Sequence, residues 1–201
     1  MDKTELVNKL NEMRGSDHIS EKYRLMLLNE YKEYCNKDKH TELIVFIEEC
    51  AELIQCITKI LRGRMKPNDI SICEEIADVN ICIDQVACCY GVDHVIKSDS
   101  TYYDLTHNSN PMNTTLFYME NRLIEMMRLL DELLYAYQDN GPDNYYDINK
   151  WILTFLDRAH EIKTTINTYN DVAGINEDDI LYIEDIKFLR CKERRENSEP
   201  M

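Results

Sequence analysis

Two short acidic clusters are the residues of this chain best suited to chemistry: Glu48-Glu49-Cys50-Ala51-Glu52 and Glu74-Glu75-Ile76-Ala77-Asp78. Each sets carboxylates three and four residues apart, and residues at those spacings share one helix face. Like charges stacked that way repel. The flanks are apolar, with Phe46-Ile47 before and Leu53-Ile54 after the first cluster, Ile76-Ala77 within the second and Val79 after it. Two such clusters on neighbouring helices are suited to holding a cation between them. Oxygen-only ligands favour Mg²⁺ or Mn²⁺ over zinc. Mg²⁺ keeps waters and commonly completes its shell with substrate phosphates, and a metal-activated water beside a spare carboxylate is a hydrolytic nucleophile. Glu48 or Glu49 could position or deprotonate that water.

The elements that must position these groups are two helices, one from about Thr41 to Leu61 ended by Gly63, the other from about Ile70 to Tyr90 ended at Gly91. Taken as an antiparallel hairpin and counted outward from the turn at ~1.5 Å per residue, Glu49 and Glu52 lie roughly 17–21 Å and 12–17 Å along one helix. Glu75 and Asp78 lie roughly 8–14 Å along the other. The levels overlap, so the four carboxylates can converge on one point.

Around this hairpin the chain reads as all-α. Of its 201 residues, 44% are hydrophobic, and only five are Gly and four Pro, too few turn formers for a β-rich fold. A short helix is expected from Glu5 to Arg14, then one after the N-cap Ser20 with Tyr23, Leu27, Leu28, Tyr31 and Tyr34 along one side. Further helices are expected over about Thr115–Tyr137, closed by Asn140-Gly141-Pro142-Asp143, over Ile148–Tyr169, and from Glu177 to about Arg194. The last runs from acidic to basic residues, the order that suits a helix dipole. The resulting division is a catalytic helical unit at 1–97, a polar linker at 98–113, a helical hairpin at 114–179, a closing helix at 180–196 and a disordered tail at 197–201. A shift of 73 lays Thr41–Leu61 over Thr114–Leu134 with matching apolar positions and sets Glu52 on Glu125, but Glu49 on Arg122 and Glu48 on Asn121. The second hairpin thus reads as a degenerate repeat of the first, or as an insertion.

A formal net charge of −15 excludes a general nucleic-acid surface, which needs a basic stripe. No apolar run is long enough to span a membrane, and with its polar, charged residues the N-terminal stretch is not expected to act as a signal peptide. The eight cysteines form no C-x-x-C pair and lie mostly at apolar helix positions, as expected for reduced thiols in a cytoplasmic protein. Neither they nor the five histidines show zinc spacing. Asp157-Arg158-Ala159-His160 falls short of a di-iron site, which needs two Glu-x-x-His motifs.

The pattern E-E-x-x-E followed by E-x-x-D, standing here as Glu48-Glu49-Cys50-Ala51-Glu52 and Glu75-Ile76-Ala77-Asp78, resembles the signature of the all-α nucleoside triphosphate pyrophosphohydrolases. These are the MazG-like proteins, with the all-α dUTPases and dCTP pyrophosphatases as relatives. The resemblance covers about residues 20–95, within IEECAELIQCITKILRG and EEIADVNICIDQ, and resumes in YIEDIKFLRCKERR. It implies a MazG-type helical bundle with Glu49, Glu52, Glu75 and Asp78 as ligands of Mg²⁺, or of Mn²⁺, and Glu48 assisting water activation. The implied reaction cleaves an NTP or dNTP between the α and β phosphates, giving a monophosphate and pyrophosphate in nucleotide-pool house-cleaning. Lys59 and Arg62 are candidates to meet the phosphates, although helix C-termini attract basic residues for the dipole alone. The tyrosines could stack on a base, but packing suits them and Trp151 better. The family's sites are often completed by a second subunit, so a homodimer, or a pseudo-dimer made by the degenerate repeat, is expected. The alternatives are a phosphoribosyl-ATP pyrophosphatase-like enzyme and a helical interaction module that keeps the fold without turnover.

Overall fold

Apolar residues recurring every three to four positions make each segment a helix with one stripe to bury. The computed structural model describes residues 2–35, 39–97, 109–139 and 147–197. They form α1 (Lys3–Met13), α2 (Glu21–Cys35), α3 (Lys39–Leu61), α4 (Ile70–Cys89), α5 (Pro111–Asp139), α6 (Ile148–Ala173) and α7 (Glu177–Asn197), with no strand among the described residues.

Local chemistry sets several of the ends. Asp2, Asp69 and Asp147 cap α1, α4 and α6 by accepting backbone N–H bonds of the first turn, and the Ser20 hydroxyl accepts from Tyr23 N at the start of α2. Gly174 stops α6 in the left-handed region at φ 67°, while Ile175 N donates to the Asn170 carbonyl. Several boundaries differ from expectation, and α6 runs to Ala173, four residues past Tyr169. Residues 111–113, read as linker, belong to α5, because proline at a first helical position has no N–H to lose. Asn197, read as tail, ends α7. The remainder of the linker (98–108), the Asn140–Asp143 turn and the tail from 198 lie outside the described residues.

The architecture is two antiparallel-type hairpins, α3–α4 and α5–α6, joined where α3 packs on α5, with α7 laid across α4 and α1, and α2 against α4 and α7. A large apolar core runs through it, built from Leu43, Phe46, Cys50 and Leu53 of α3, Leu116, Met119, Leu123 and Met126 of α5, and Phe155 and Ile162 of α6, beside a smaller cluster of Leu27, Leu28, Ile81, Cys88 and Phe188 where α2 and α7 meet α4. Trp151 is the packing anchor expected of it: it stacks on Phe155 and donates its indole N–H to the Leu129 carbonyl at 2.9 Å. Cys50, Cys56, Cys73, Cys82 and Cys88 are buried free thiols, as expected, whereas Cys89 is disulfide-bonded. That corrects the expectation of eight reduced cysteines. Sequence pattern records only that a cysteine sits at an apolar position, not what the fold brings beside it.

The closing helix is held by charge as well as by packing. Arg24 of α2, only 8% exposed, donates to Glu184 at 2.5 Å and to Asp185 at 2.8 Å, and Asn80 of α4 donates to the other Glu184 oxygen at 2.9 Å. A buried charge is tolerated only when paired and hydrogen-bonded. This network therefore fixes the register of α7 against α4, and so decides which α7 side chains reach the acidic clusters.

Candidate metal centre

The α3–α4 hairpin brings the two clusters together. Glu49, Glu52 and Glu75 each offer an oxygen lying within 4.8 Å of the other two. Glu49 and Glu75 are half-buried and Glu52 is exposed, so the group opens to solvent on the Glu52 side. Pro67, Asn68 and the Asp69 cap set the start of α4, and with it the level of Glu75 against Glu52.

The electrostatics are those of carboxylates short of positive charge. Burial, then the nearby Glu52, Asp78 and Glu49, push the Glu75 carboxyl up to about 8. Burial, then Asp78 and Glu52, push Glu49 up to about 7. Glu75 Oε2 is buried and has no hydrogen-bond partner. A divalent cation answers all three conditions, because it supplies charge, takes carboxylate oxygens as ligands and satisfies the orphaned atom. The donor set thus fits the hard cation expected from the sequence.

The other expected residues are placed less simply. Asp78 does not join the three-oxygen cluster. Lys187 of α7 donates to it, and the same ammonium lies 3.4 Å from Glu74. Three of the four expected ligands thus stand close together, and the charge of the fourth, Asp78, acts on Glu49 and Glu75. Burial raises the Asp78 carboxyl and Lys187 lowers it. Glu48 is exposed and acts on Glu49 through its charge. Lys59 donates to Gln55 on its own helix at 2.8 Å, and Arg62 is exposed at the turn. Neither expected phosphate ligand is brought onto the carboxylates by these contacts. Lys187 is the site residue that spacing did not reveal. Its only sequence signal is a lysine set between Ile186 and Phe188 in the closing segment.

The second hairpin carries a parallel constellation of different charge. On α5, Arg122 and Glu125 stand three residues apart, as Glu49 and Glu52 do on α3. On α6, Arg158 and Glu161 stand three apart, as Glu75 and Asp78 do on α4. Arg122 lies 2.8 Å from Glu125 and 3.5 Å from Glu161, and Arg158 lies 3.2 Å from Glu125 and 2.8 Å from Glu161. Here the two guanidinium groups balance the two carboxylates without any ion.

Among the described residues no helix is long and apolar enough to cross a membrane. Comparison with protein-family models, with curated proteins and with solved structures returns no match to this chain.

Proposed function

We propose that the chain is a Mg²⁺- or Mn²⁺-dependent nucleoside triphosphate pyrophosphohydrolase of the MazG-like type. One observation carries the reading: three carboxylates from two helices converge beside a buried oxygen of Glu75 that has no partner. Glu49, Glu52 and Glu75 would hold the ion, with Asp78 available once Lys187 releases it. Bound there, the ion supplies the positive charge that screens a polyphosphate and stabilises the charge developing on its oxygens.

The chain's own residues do the rest. Glu49, beside the ion, can accept a proton from an attacking water, and exposed Glu48 can orient that water. The charge of Lys187 reaches Glu49 and Glu75 as well as its partner Asp78, so this ammonium is the group available to meet a phosphate oxygen beside the ion. In a chain of net charge −15, such local cations are what allow an anionic substrate to approach. The substrate class is a nucleoside triphosphate, and the products are a monophosphate and pyrophosphate.

Incubation with each NTP and dNTP and Mg²⁺, with pyrophosphate as the readout, tests the reaction. Release from at least one substrate is expected, lost in Asp78→Asn. Absence of pyrophosphate from all of them sinks the proposal. The rival, an interaction module without turnover, is favoured by one contact: Lys187 already balances Asp78 and Glu74. Calorimetry separates the two, since a folded protein that takes up neither Mg²⁺ nor Mn²⁺ is the module.

The same reading makes the α5–α6 hairpin a degenerate copy, with two arginines in place of two metal-site glutamates, and the chain a single-chain pseudo-dimer. The double variant Arg122→Glu with Arg158→Glu recreates four carboxylates at the spacing of the first site. It is expected to bind two equivalents of Mn²⁺ in place of one by calorimetry, and to lose about 2 kcal/mol of metal-free stability as its partly exposed ion pairs turn repulsive. A stoichiometry that stays at one contradicts the repeat.

A further inference from the structure

On the side of α3 turned away from the acidic cluster, α3 and α5 enclose an open groove of about 520 Å³. Ile47 and Ile54 of α3 and Ile124 and Met127 of α5 line it, with Arg128 and Asp131 as its charged groups. The apolar surface continues past the groove. Ile44 of α3 is 40% exposed, Phe117 of α5 53% and Tyr135 of α5 63%. Phe117, Ile124, Arg128, Asp131 and Tyr135 follow one another at seven-, four-, three- and four-residue steps, so they form a single stripe along α5.

We propose that this stripe pairs two copies of the chain about a two-fold axis, α5 against α5. A two-fold interface uses the same patch twice and must be complementary to itself. The α5 stripe meets that condition in one register. With the helices antiparallel and the axis between residues 129 and 130, Arg128 stands opposite the partner's Asp131, and the reciprocal pair forms on the other side of the axis. The same register sets Ile124, in the groove, opposite the partner's Tyr135, so a large exposed ring enters an apolar groove at each end. Among the described residues the ion pairs involve neither Arg128 nor Asp131, which leaves both charges available. A small molecule in the groove would leave Tyr135 in water, whereas in this register the partner's α5 covers the stripe from Ile124 to Tyr135. The pairing is independent of the acidic site and of what that site does.

Sedimentation equilibrium of the full chain at physiological ionic strength, with helicity checked by circular dichroism, tests the pairing. The wild type is expected at twice the chain mass. Arg128→Asp and Asp131→Arg should each sediment as a folded monomer, because each sets two like charges face to face. An equimolar mixture of these two variants should recover the doubled mass, since one then offers two acids and the other two arginines. A monomeric wild type overturns the proposal. So does a dimer that either substitution leaves intact, or a mixture that stays monomeric.

Discussion

Glu75→Gln is expected to raise the melting temperature of the metal-free protein and, in the same molecule, to abolish Mn²⁺ binding and pyrophosphate release. The two effects share one cause. Burial and three neighbouring carboxylates hold the Glu75 carboxyl near 8, and its Oε2 has no partner. Ionising it at pH 8 works against the fold. An amide of the same shape removes that charge and gives a gain on the order of 2 kcal/mol after allowance for partial exposure. At this chain length that is roughly 4–8 °C in melting temperature. The cation, however, loses a ligand and the charge that attracts it. Changes in an outer shell cost about 10–100-fold in metal affinity, so removal of a direct ligand should cost more. Loss of an electrostatic stabiliser of the reaction is worth about 10²–10³-fold in turnover. Glu52→Gln should lose binding similarly but gain less stability, because Glu52 is exposed. Thermal melts in EDTA beside Mn²⁺ calorimetry measure both effects. A Glu75→Gln protein that melts lower and still binds Mn²⁺ would mean that Glu75 is a structural residue.

The convergence of Glu49, Glu52 and Glu75 was legible in the sequence because it is a local matter. Two helices joined by a short turn have few ways to pack, and residues three apart on each must face the seam. What escaped was set by distant chain. Asp78 is taken by Lys187 from 109 residues away, and no spacing rule within the hairpin reports a lysine on another helix. The orientation of that lysine depends in turn on Arg24, Glu184 and Asp185, three charges that look like ordinary surface residues until their burial is seen. The second hairpin was half legible. A single shift aligned α5 with α3 and exposed Arg122 and Glu125, but the longer α5 breaks that register before α6. The matching Arg158 and Glu161 became visible only through their ion pairs. One chain therefore holds two answers to the same geometric problem. In the second hairpin four facing groups are balanced by built-in guanidiniums. In the first, Lys187 balances Asp78 and Glu74 while Glu49, Glu52 and Glu75 remain short of charge, and that imbalance is the strongest physical argument for an external cation.

The imbalance also fixes how stability should vary with pH. Glu49 near 7 and Glu75 near 8 stand above the ordinary glutamate value of 4.5. Between about pH 4.5 and pH 8 the folded protein therefore keeps protons that the unfolded chain has released. Stability falls with rising pH wherever the folded state binds more protons. The contribution of this pair is thus fully present below pH 4.5 and lost as pH climbs through 7 and 8, a change on the order of 3 kcal/mol for the coupled pair. Asp69, lowered by Lys3 and the Ser71 N–H, has the opposite sign, but it acts only where acid reaches its own carboxyl, below the ordinary aspartate value of 3.8. Metal-free melting temperature should therefore decline from pH 5 to pH 8. Mn²⁺ should restore the alkaline side, since a cation that displaces those protons binds more tightly as pH rises and releases protons as it binds. Melts across this range in EDTA and in Mn²⁺ give the two curves, and proton uptake or release in weakly buffered calorimetry gives the stoichiometry. Parallel curves, or a metal-free profile that rises toward pH 8, would show that the clustered carboxylates are not the groups short of charge. The site would then be a solvated acidic face with no call for an ion.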